Sequence, residues 1–307
     1  MEADIRYMQR CIQLAKNGQP HAAPNPMVGA VIVADGRIIG EGYHRRCGEA
    51  HAEVNAFAAV KSCDEVLLPQ STLYVNLEPC SHHGKTPPCA DLIVAKRVRR
   101  VVVGCIDSFA KVCGNGIRKL QDAGIEVTVG VLEKECRELN RSFFTFHLHH
   151  RPYIILKWAQ TADGFIDCNG CPMTISTPFT RMLCHKLRAE SGAILVGRIT
   201  DEREHPRLDV RHWSGPNPLR LVLSHSTPIA PMLDQLYQSQ IQTLIVEGGM
   251  QTHQSFIEAG LWDEIRIETS PMTAETGTHA PLLPPHARLI RHTYYDGNTI
   301  NVYRNEP

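Results

Sequence analysis

Apolar residues recur at helical spacing at Ile5, Met8, Ile12 and Ala15, and Asn17-Gly18 closes the helix they predict. Two apolar runs follow, 28–33 and 38–43, around Ala34-Asp35-Gly36-Arg37. An Asp-Gly between such runs predicts a hairpin, because the turn that matches strand twist needs residues tolerant of positive φ. From residue 72 onward strands alternate with helices. The pattern predicts strands at 72–75, 100–104 and 126–129, and helices near 51–60, 90–96, 117–123 and 132–146. That order describes an α/β sandwich, a hairpin followed by parallel strands joined by crossover helices.

The stretch 144–152 breaks the pattern and is read as a domain boundary. Its histidines, His147, His149 and His150, are read as a solvated linker, since nothing nearby completes a coordination shell. A second alternating unit then begins. Strands are predicted at 153–158, 193–196, 219–223, 243–246, 264–268 and 299–303, and helices at 179–190, 232–239 and 251–259. The expected domains are therefore 1–145 and 151–307, with no repeat between them. The aromatic residues Phe143, Phe144 and Phe146 are read as core or interface filler.

Composition narrows the partners. The chain has 307 residues, enough for about two domains, and its formal net charge is zero. A basic footprint for duplex nucleic acid or an anionic membrane is missing, so no nucleic-acid or membrane partner is expected. Residues 1–20 show no signal-peptide pattern, and no run reaches the ~18 apolar residues of a membrane span. Eleven cysteines, an odd number, point to reduced thiols in a cytoplasmic protein rather than a disulfide framework. Cys11, Cys63, Cys105 and Cys136 are expected to be buried hydrophobes. Cys168-x-x-Cys171 has no strand-to-helix context and is read as coincidence over a redox or zinc site.

The informative chemistry lies in His51-Ala52-Glu53 and, later, Pro79-Cys80 with Cys89. Catalytic zinc takes three nitrogen or thiolate ligands and keeps one position open for water. His51, Cys80 and Cys89 supply that set, and both cysteines are expected at helix starts, where the dipole favours thiolate. Zinc acidifies its water, and an unligated carboxylate must then move the proton to the departing amine. Glu53 is placed for that task. Zinc nucleobase deaminases carry H-x-E with P-C-x-x-C; here eight residues separate the cysteines instead of two. That insertion, 81–88, is rich in donors and suits an anionic group such as a sugar phosphate. Asn25, in the loop 24–29, offers an amide for a base edge; the alternative is that both loops only brace the fold. In the second half, a strand leads through Glu247 into Gly248-Gly249 and a helix. This could cradle a cofactor pyrophosphate or be a plain tight turn.

The runs HAEVNAF, LEPCSHHGKTPPC and APNPMVGAVIV together resemble the bifunctional deaminase/reductase family of riboflavin biosynthesis, from about Ile5 to about Val302. The resemblance implies a cytidine-deaminase-like α/β/α sandwich followed by a dihydrofolate-reductase-like α/β domain. It implies deamination of 2,5-diamino-6-ribosylamino-4(3H)-pyrimidinone 5′-phosphate, then reduction of the ribosyl group to a ribityl chain by NADPH. By position, His51, Cys80 and Cys89 would bind zinc, Glu53 would be the proton donor, and Asn25, His44, His82, Lys85 and Asp107 would line the deaminase pocket. Arg188, Leu208, Arg211 and Glu247 match reductase substrate positions; Lys157, Thr174, Thr200, Glu204, Gly248 and Gly249 match the cofactor region. The family's Asp-Pro-x-Pro reads Asp107-Ser108-Phe109-Ala110 here, Thr174 stands where a tryptophan is usual, and Ser224-His225 replaces an Asp-Ser. The segment between 223 and 244 is shorter than the family pattern. A homo-oligomer, dimer or tetramer, is expected from the fold. Two other readings stand beside this one: a deaminase with a degenerate second domain, and a structural zinc module serving interaction or RNA binding.

Overall fold

The structure, a computed structural model, describes residues 2–81, 87–107, 114–224 and 227–305. It divides into two compact units, Met1–His149 and His150–Pro307.

In the first unit, helix α1 (Glu2–Lys16) precedes the hairpin β1 (Gly29–Ala34) and β2 (Arg37–Tyr43). Next come α2 (Ala52–Ala58), a 3-10 helix at Ser62–Gln70, β3 (Thr72–Leu77), α3 (Cys89–Lys96), β4 (Arg100–Cys105), α4 (Asn115–Asp122) and β5 (Glu126–Val129). Helices α5 (Glu133–Leu139) and α6 (Arg141–His149) complete it. Among the described residues the strands order as β2-β1-β3-β4-β5, with β3, β4 and β5 parallel and the hairpin antiparallel. Strand β1 is buried along its whole length. Its alternating side chains feed two cores: Ala30 and Ile32 pack with Ala56, Phe57 and Ile93, while Val31 and Val33 pack with Met8, Phe143 and Phe144. A sheet covered on both faces gives the α/β/α sandwich.

Helix α2 lies close over β2 because Gly40 and Gly42 present no side chain to it. A β-carbon at Gly42 would stand 2.5 Å from the Ala56 nitrogen and 2.7 Å from the Asn55 β-carbon. This approach sets the height of the helix that carries Glu53.

Four local expectations change. The single helix at 132–146 is two, broken at Asn140, whose side chain turns away to bind the Met27 backbone. The stretch 144–149 is helix, not linker: α6 runs to His149, burying Phe144 and Phe146. Cys63 is exposed, since the 3-10 helix lies at the surface there. Cys80 follows β3 in a loop and does not start a helix, whereas Cys89 does.

The second unit runs β6 (Tyr153–Gln160), α7 (Pro178–Ala189), β7 (Ala193–Gly197), α8 (Arg198–Glu204), β8 (Leu219–Leu223), α9 (Ile229–Gln238), β9 (Thr243–Val246) and α10 (Met250–Glu258). It ends with β10 (Glu264–Thr269) and the hairpin β11 (Ala287–Tyr295) and β12 (Asn298–Asn305). The sheet order is β11-β12-β10-β6-β9-β7-β8, parallel from β10 to β8 and antiparallel at the terminal hairpin. Helix α9 leads directly from edge strand β8 to β9; among the described residues no strand intervenes. No helix of the described chain is long and apolar enough to cross a membrane.

Gly42→Ala forces a methyl against the α2 backbone. We expect a loss of about 1–3 kcal/mol in urea unfolding followed by circular dichroism, together with weaker zinc retention; an unchanged midpoint would show that the close approach is not a constraint.

Candidate functional site

Three separate segments deliver the metal donors. His51 caps α2, Cys80 lies three residues past β3, and Cys89 opens α3. The His51 Nδ1 atom is 3.5 Å from the Cys80 sulfur and 3.3 Å from the Cys89 sulfur, and all three donors lie within 4.8 Å of one another. A tetrahedral zinc with ordinary Zn–S and Zn–N lengths separates its nitrogen and sulfur ligands by about 3.5 Å. The donor set therefore fits zinc in both kind and spacing. Although Cys80 is not helical, its sulfur accepts the Cys89 backbone N–H at 3.2 Å, so it still sits at the N-terminus of α3. Hydrogen bonds from the Cys89 thiol, from His51 and from that N–H hold the Cys80 thiol pKa well down against the opposing effect of burial.

Glu53, in the first turn of α2, is 3% exposed. Burial raises its carboxyl pKa, and the neighbouring Cys80 sulfur raises it further. A carboxyl buried beside the donor set and not part of it is placed for general acid–base work.

His44 stands edge-on to His51 at 5.4 Å. Burial lowers its pKa, which favours the neutral ring. Its Nδ1 faces the Ala50 carbonyl at 3.1 Å and must carry the proton, because a carbonyl only accepts. Nε2 then accepts from the Asn25 amide at 3.1 Å. That bond leaves the Asn25 amide oxygen for another donor. Asp107 is 6% exposed; His82 and Lys85 lie outside the described residues.

Polar residues absent from the sequence reading hold these loops. Asn140 closes a two-way bond with Met27, at 2.8 and 2.9 Å, and Asn76 accepts the Gly29 N–H at 2.7 Å. Glu78, 4% exposed, gathers four backbone N–H groups: Asp107 (3.3 Å), Gly114 (3.0 Å), Gly116 (2.9 Å) and Ile117 (3.3 Å). Helix α4 has no side-chain cap of its own, and Glu78 does that work from a distance. A buried carboxylate two residues before a metal cysteine, in Leu77-Glu78-Pro79-Cys80, was the signal that could have revealed it.

In the second unit, Arg188 and Glu247 pair bidentately at 3.0 and 2.6 Å, both largely buried. Burial pushes the Glu247 carboxyl up, but the Arg188 hydrogen bonds and charge outweigh it and hold the pKa low. Arg188 also donates to the Asp209 carbonyl, so three of its five N–H donors are used. Lys157, on β6, is held charged by Cys184, Glu247 and Glu268 despite burial. Arg211 is exposed and paired with Asp209; Leu208 is buried with a positive φ of 54°. Strand β9 does lead through Glu247 and Gly248-Gly249 into α10. A β-carbon at Gly248 would lie 2.5 Å from the Gly197 nitrogen, and one at Gly249 would lie 2.9 Å from the Thr200 hydroxyl. Thr200 and the glycine pair are thus together at the carboxyl ends of β7 and β9, where open α/β sheets bind ligands. Glu204 pairs with Arg203, and Thr174 is exposed in the segment before α7.

A buried Glu268 was also missed. It accepts from Ser176 (2.7 Å), Thr180 (2.5 Å) and Asn298 (2.6 Å), and so fixes the segment that carries Thr174.

A His, Cys, Cys donor set with a buried carboxylate outside it, on an α/β/α sandwich, defines a zinc-dependent deaminase, here joined to a second α/β domain. Residues 1–105 match the cytidine and deoxycytidylate deaminase zinc-binding region, and 152–232 with 226–285 match the RibD C-terminal domain. The chain is 38% identical over 315 residues to the riboflavin biosynthesis protein RibD of Aquifex aeolicus, covering 88% of this chain and 87% of that one. It is 33% identical to the RibD of Escherichia coli, over 87% and 88% of the two chains. A deaminase/reductase crystal structure from Thermotoga maritima, named for diaminohydroxyphosphoribosylaminopyrimidine and 5-amino-6-(5-phosphoribosylamino)uracil, superposes with a TM-score of 0.90. The identity there is 32%, and 99% of each chain is covered. The chain belongs to the RibD family of riboflavin biosynthesis proteins. It is a bifunctional enzyme with a zinc-binding deaminase domain and a reductase domain of the NADPH-dependent kind. Both domains being present, the comparisons support the two-activity reading over a deaminase alone.

Glu78→Ala strands four backbone N–H groups. At about 1–3 kcal/mol for each buried donor left without a partner, part of it relieved by water, we expect a net loss of about 3–5 kcal/mol in unfolding experiments. A loss below 1 kcal/mol would show that α4 and the Asp107 backbone do not depend on this carboxylate.

Proposed function

We propose that the first unit hydrolyses an amine from 2,5-diamino-6-ribosylamino-4(3H)-pyrimidinone 5′-phosphate and that the second reduces the ribosyl group of the product to a ribityl chain. The observation that carries the first step is the spacing of His51, Cys80 and Cys89 with Glu53 buried beside them and outside the ligand set. Zinc held by the three donors supplies the Lewis acidity that makes water a nucleophile near neutral pH. Glu53 takes the proton from the attacking water and delivers it to the nitrogen of the departing amine. Burial raises its pKa, which favours the protonated form it must take up between the two transfers.

Neutral His44 fixes the Asn25 amide so that its oxygen meets a donor edge of the pyrimidine. Asp107 and His82 complete the substrate contacts, and Lys85 supplies a cation for the 5′-phosphate. In the second unit Gly248 and Gly249, with Lys157, Thr174, Thr200 and Glu204, bind the cofactor. Arg188, Leu208, Arg211 and Glu247 bind the substrate. NADPH supplies the hydride. Arg188 keeps Glu247 ionised and oriented, and its two remaining N–H donors are available to phosphate.

Glu53→Gln is expected to retain one zinc per chain, read by atomic emission, while deamination followed by mass spectrometry falls about 100- to 10,000-fold. A normal rate in that variant would remove Glu53 from the mechanism. For the reductase, NADPH titrated against the fluorescence of Trp158, Trp213 and Trp262, all in the second unit, is expected to give a saturable change. A flat titration would overturn the cofactor assignments.

A further inference from the structure

Cys168-Asn169-Gly170-Cys171 forms a two-residue hairpin turn. Cys168 and Cys171 exchange both backbone hydrogen bonds, at 3.1 and 2.9 Å, as an isolated antiparallel bridge. Asn169 (φ 51°) and Gly170 (φ 78°) both take positive φ, which Asn-Gly adopts most readily. Residues directly opposite in such a bridge project side chains to one face, with α-carbons about 5.5 Å apart. That separation lies within the range of roughly 4.4–6.8 Å that a disulfide spans. Cys171 is exposed and Cys168 half-buried, so small thiol reagents reach them.

The turn is anchored on its inner side. The Asp167 carboxylate accepts from the Gly170 N–H (3.1 Å), the Thr278 N–H (2.9 Å) and the Thr278 hydroxyl (2.7 Å). Arg203 of α8 reaches the same carboxylate at 3.8 Å and pairs with Glu204 at 2.7 Å. The two cysteines are thereby held opposite one another by backbone and carboxylate bonds that do not depend on the thiols.

From this juxtaposition we infer that Cys168 and Cys171 are a reversible thiol–disulfide site, oxidised by low-molecular-weight disulfides such as glutathione disulfide. One cysteine thiolate attacks the glutathione disulfide, forming a mixed disulfide and releasing one glutathione thiol. The second cysteine displaces the other glutathione and closes the bond across the turn. Two protein thiols lose two hydrogens, and one glutathione disulfide becomes two glutathiones. The β-carbons of a hydrogen-bonded pair stand about 5.5 Å apart, wider than the ~3.8 Å of a relaxed disulfide. Closure therefore strains the turn, and a strained bond is easily reduced, which suits a reversible modification and not a permanent staple. A metal is less well served. Among the described residues, the one metal-like cluster of three or more His, Cys, Asp or Glu side chains is His51 with Cys80 and Cys89.

The test equilibrates the full-length zinc-loaded protein at graded ratios of glutathione disulfide to glutathione, alkylates free thiols and weighs the peptide spanning 168–171. At high ratios the peptide should be two hydrogens lighter and unalkylated, and dithiothreitol should return it to the doubly alkylated form. Cys168→Ser should trap Cys171 as a glutathione adduct, and Cys171→Ser should do the same to Cys168, so either variant serves if the other fails to fold. A peptide that remains doubly alkylated, or carries two glutathiones at every ratio, would overturn the proposal.

Discussion

Three donor atoms from distant parts of the chain must meet within a few ångströms while one carboxylic acid is kept out of the donor set. The first unit is arranged around that constraint. Strand β3 leads to Cys80, α3 begins on Cys89, and His51 is the N-cap of α2. The close approach of α2 to Gly40 and Gly42 sets its depth over the sheet. Glu53 follows His51 by two residues, so the helical turn itself directs the carboxylate beside the ligand set and not into it. Placing His51 and Cys89 at helix starts also supplies N–H groups, and the bond from the Cys89 N–H to the Cys80 sulfur shows that dipole in use.

Around the metal donors the loops are held by buried side chains bonding to backbone. Glu78, Asn76 and Asn140 are not members of the donor set, yet they fix the segments that carry Asp107, Gly29 and Met27. Such bonds contribute modestly when made and cost much more when one partner is removed. The second unit repeats the device with charge: Arg188 with Glu247, and Glu268 with Ser176, Thr180 and Asn298. Replacing a buried ion pair by apolar residues is often neutral for stability. The arginine–glutamate pair is thus better understood as orienting two polar groups than as a source of stability.

Much of this was legible in the sequence where the signal is local. Asp35-Gly36 marked the hairpin, short apolar runs marked β3, β4, β6, β7 and β9, and the ordered His and cysteines marked the donor set. The signal failed where tertiary bonds decide. Asn140 looks like one more polar position on an amphipathic helix until its side chain is seen holding Met27. Strand β11 is largely exposed and rich in Arg288, Arg291 and His292, so it lacks the apolar alternation of a half-buried strand. Asn169-Gly170 is a strong turn pair, but its flanking strands shrink to a single bridge and leave no periodicity. Glu78 and Glu268 are ordinary acids by spacing, and only the donors gathered around them reveal their work.

X-ray absorption at the zinc edge of the purified protein tests the central claim most directly. The account predicts a shell of two sulfurs, one imidazole nitrogen and one oxygen, the oxygen signal changing when a substrate analogue is added. A shell closed by a fourth protein ligand, unaltered by the analogue, would contradict it and make the metal structural.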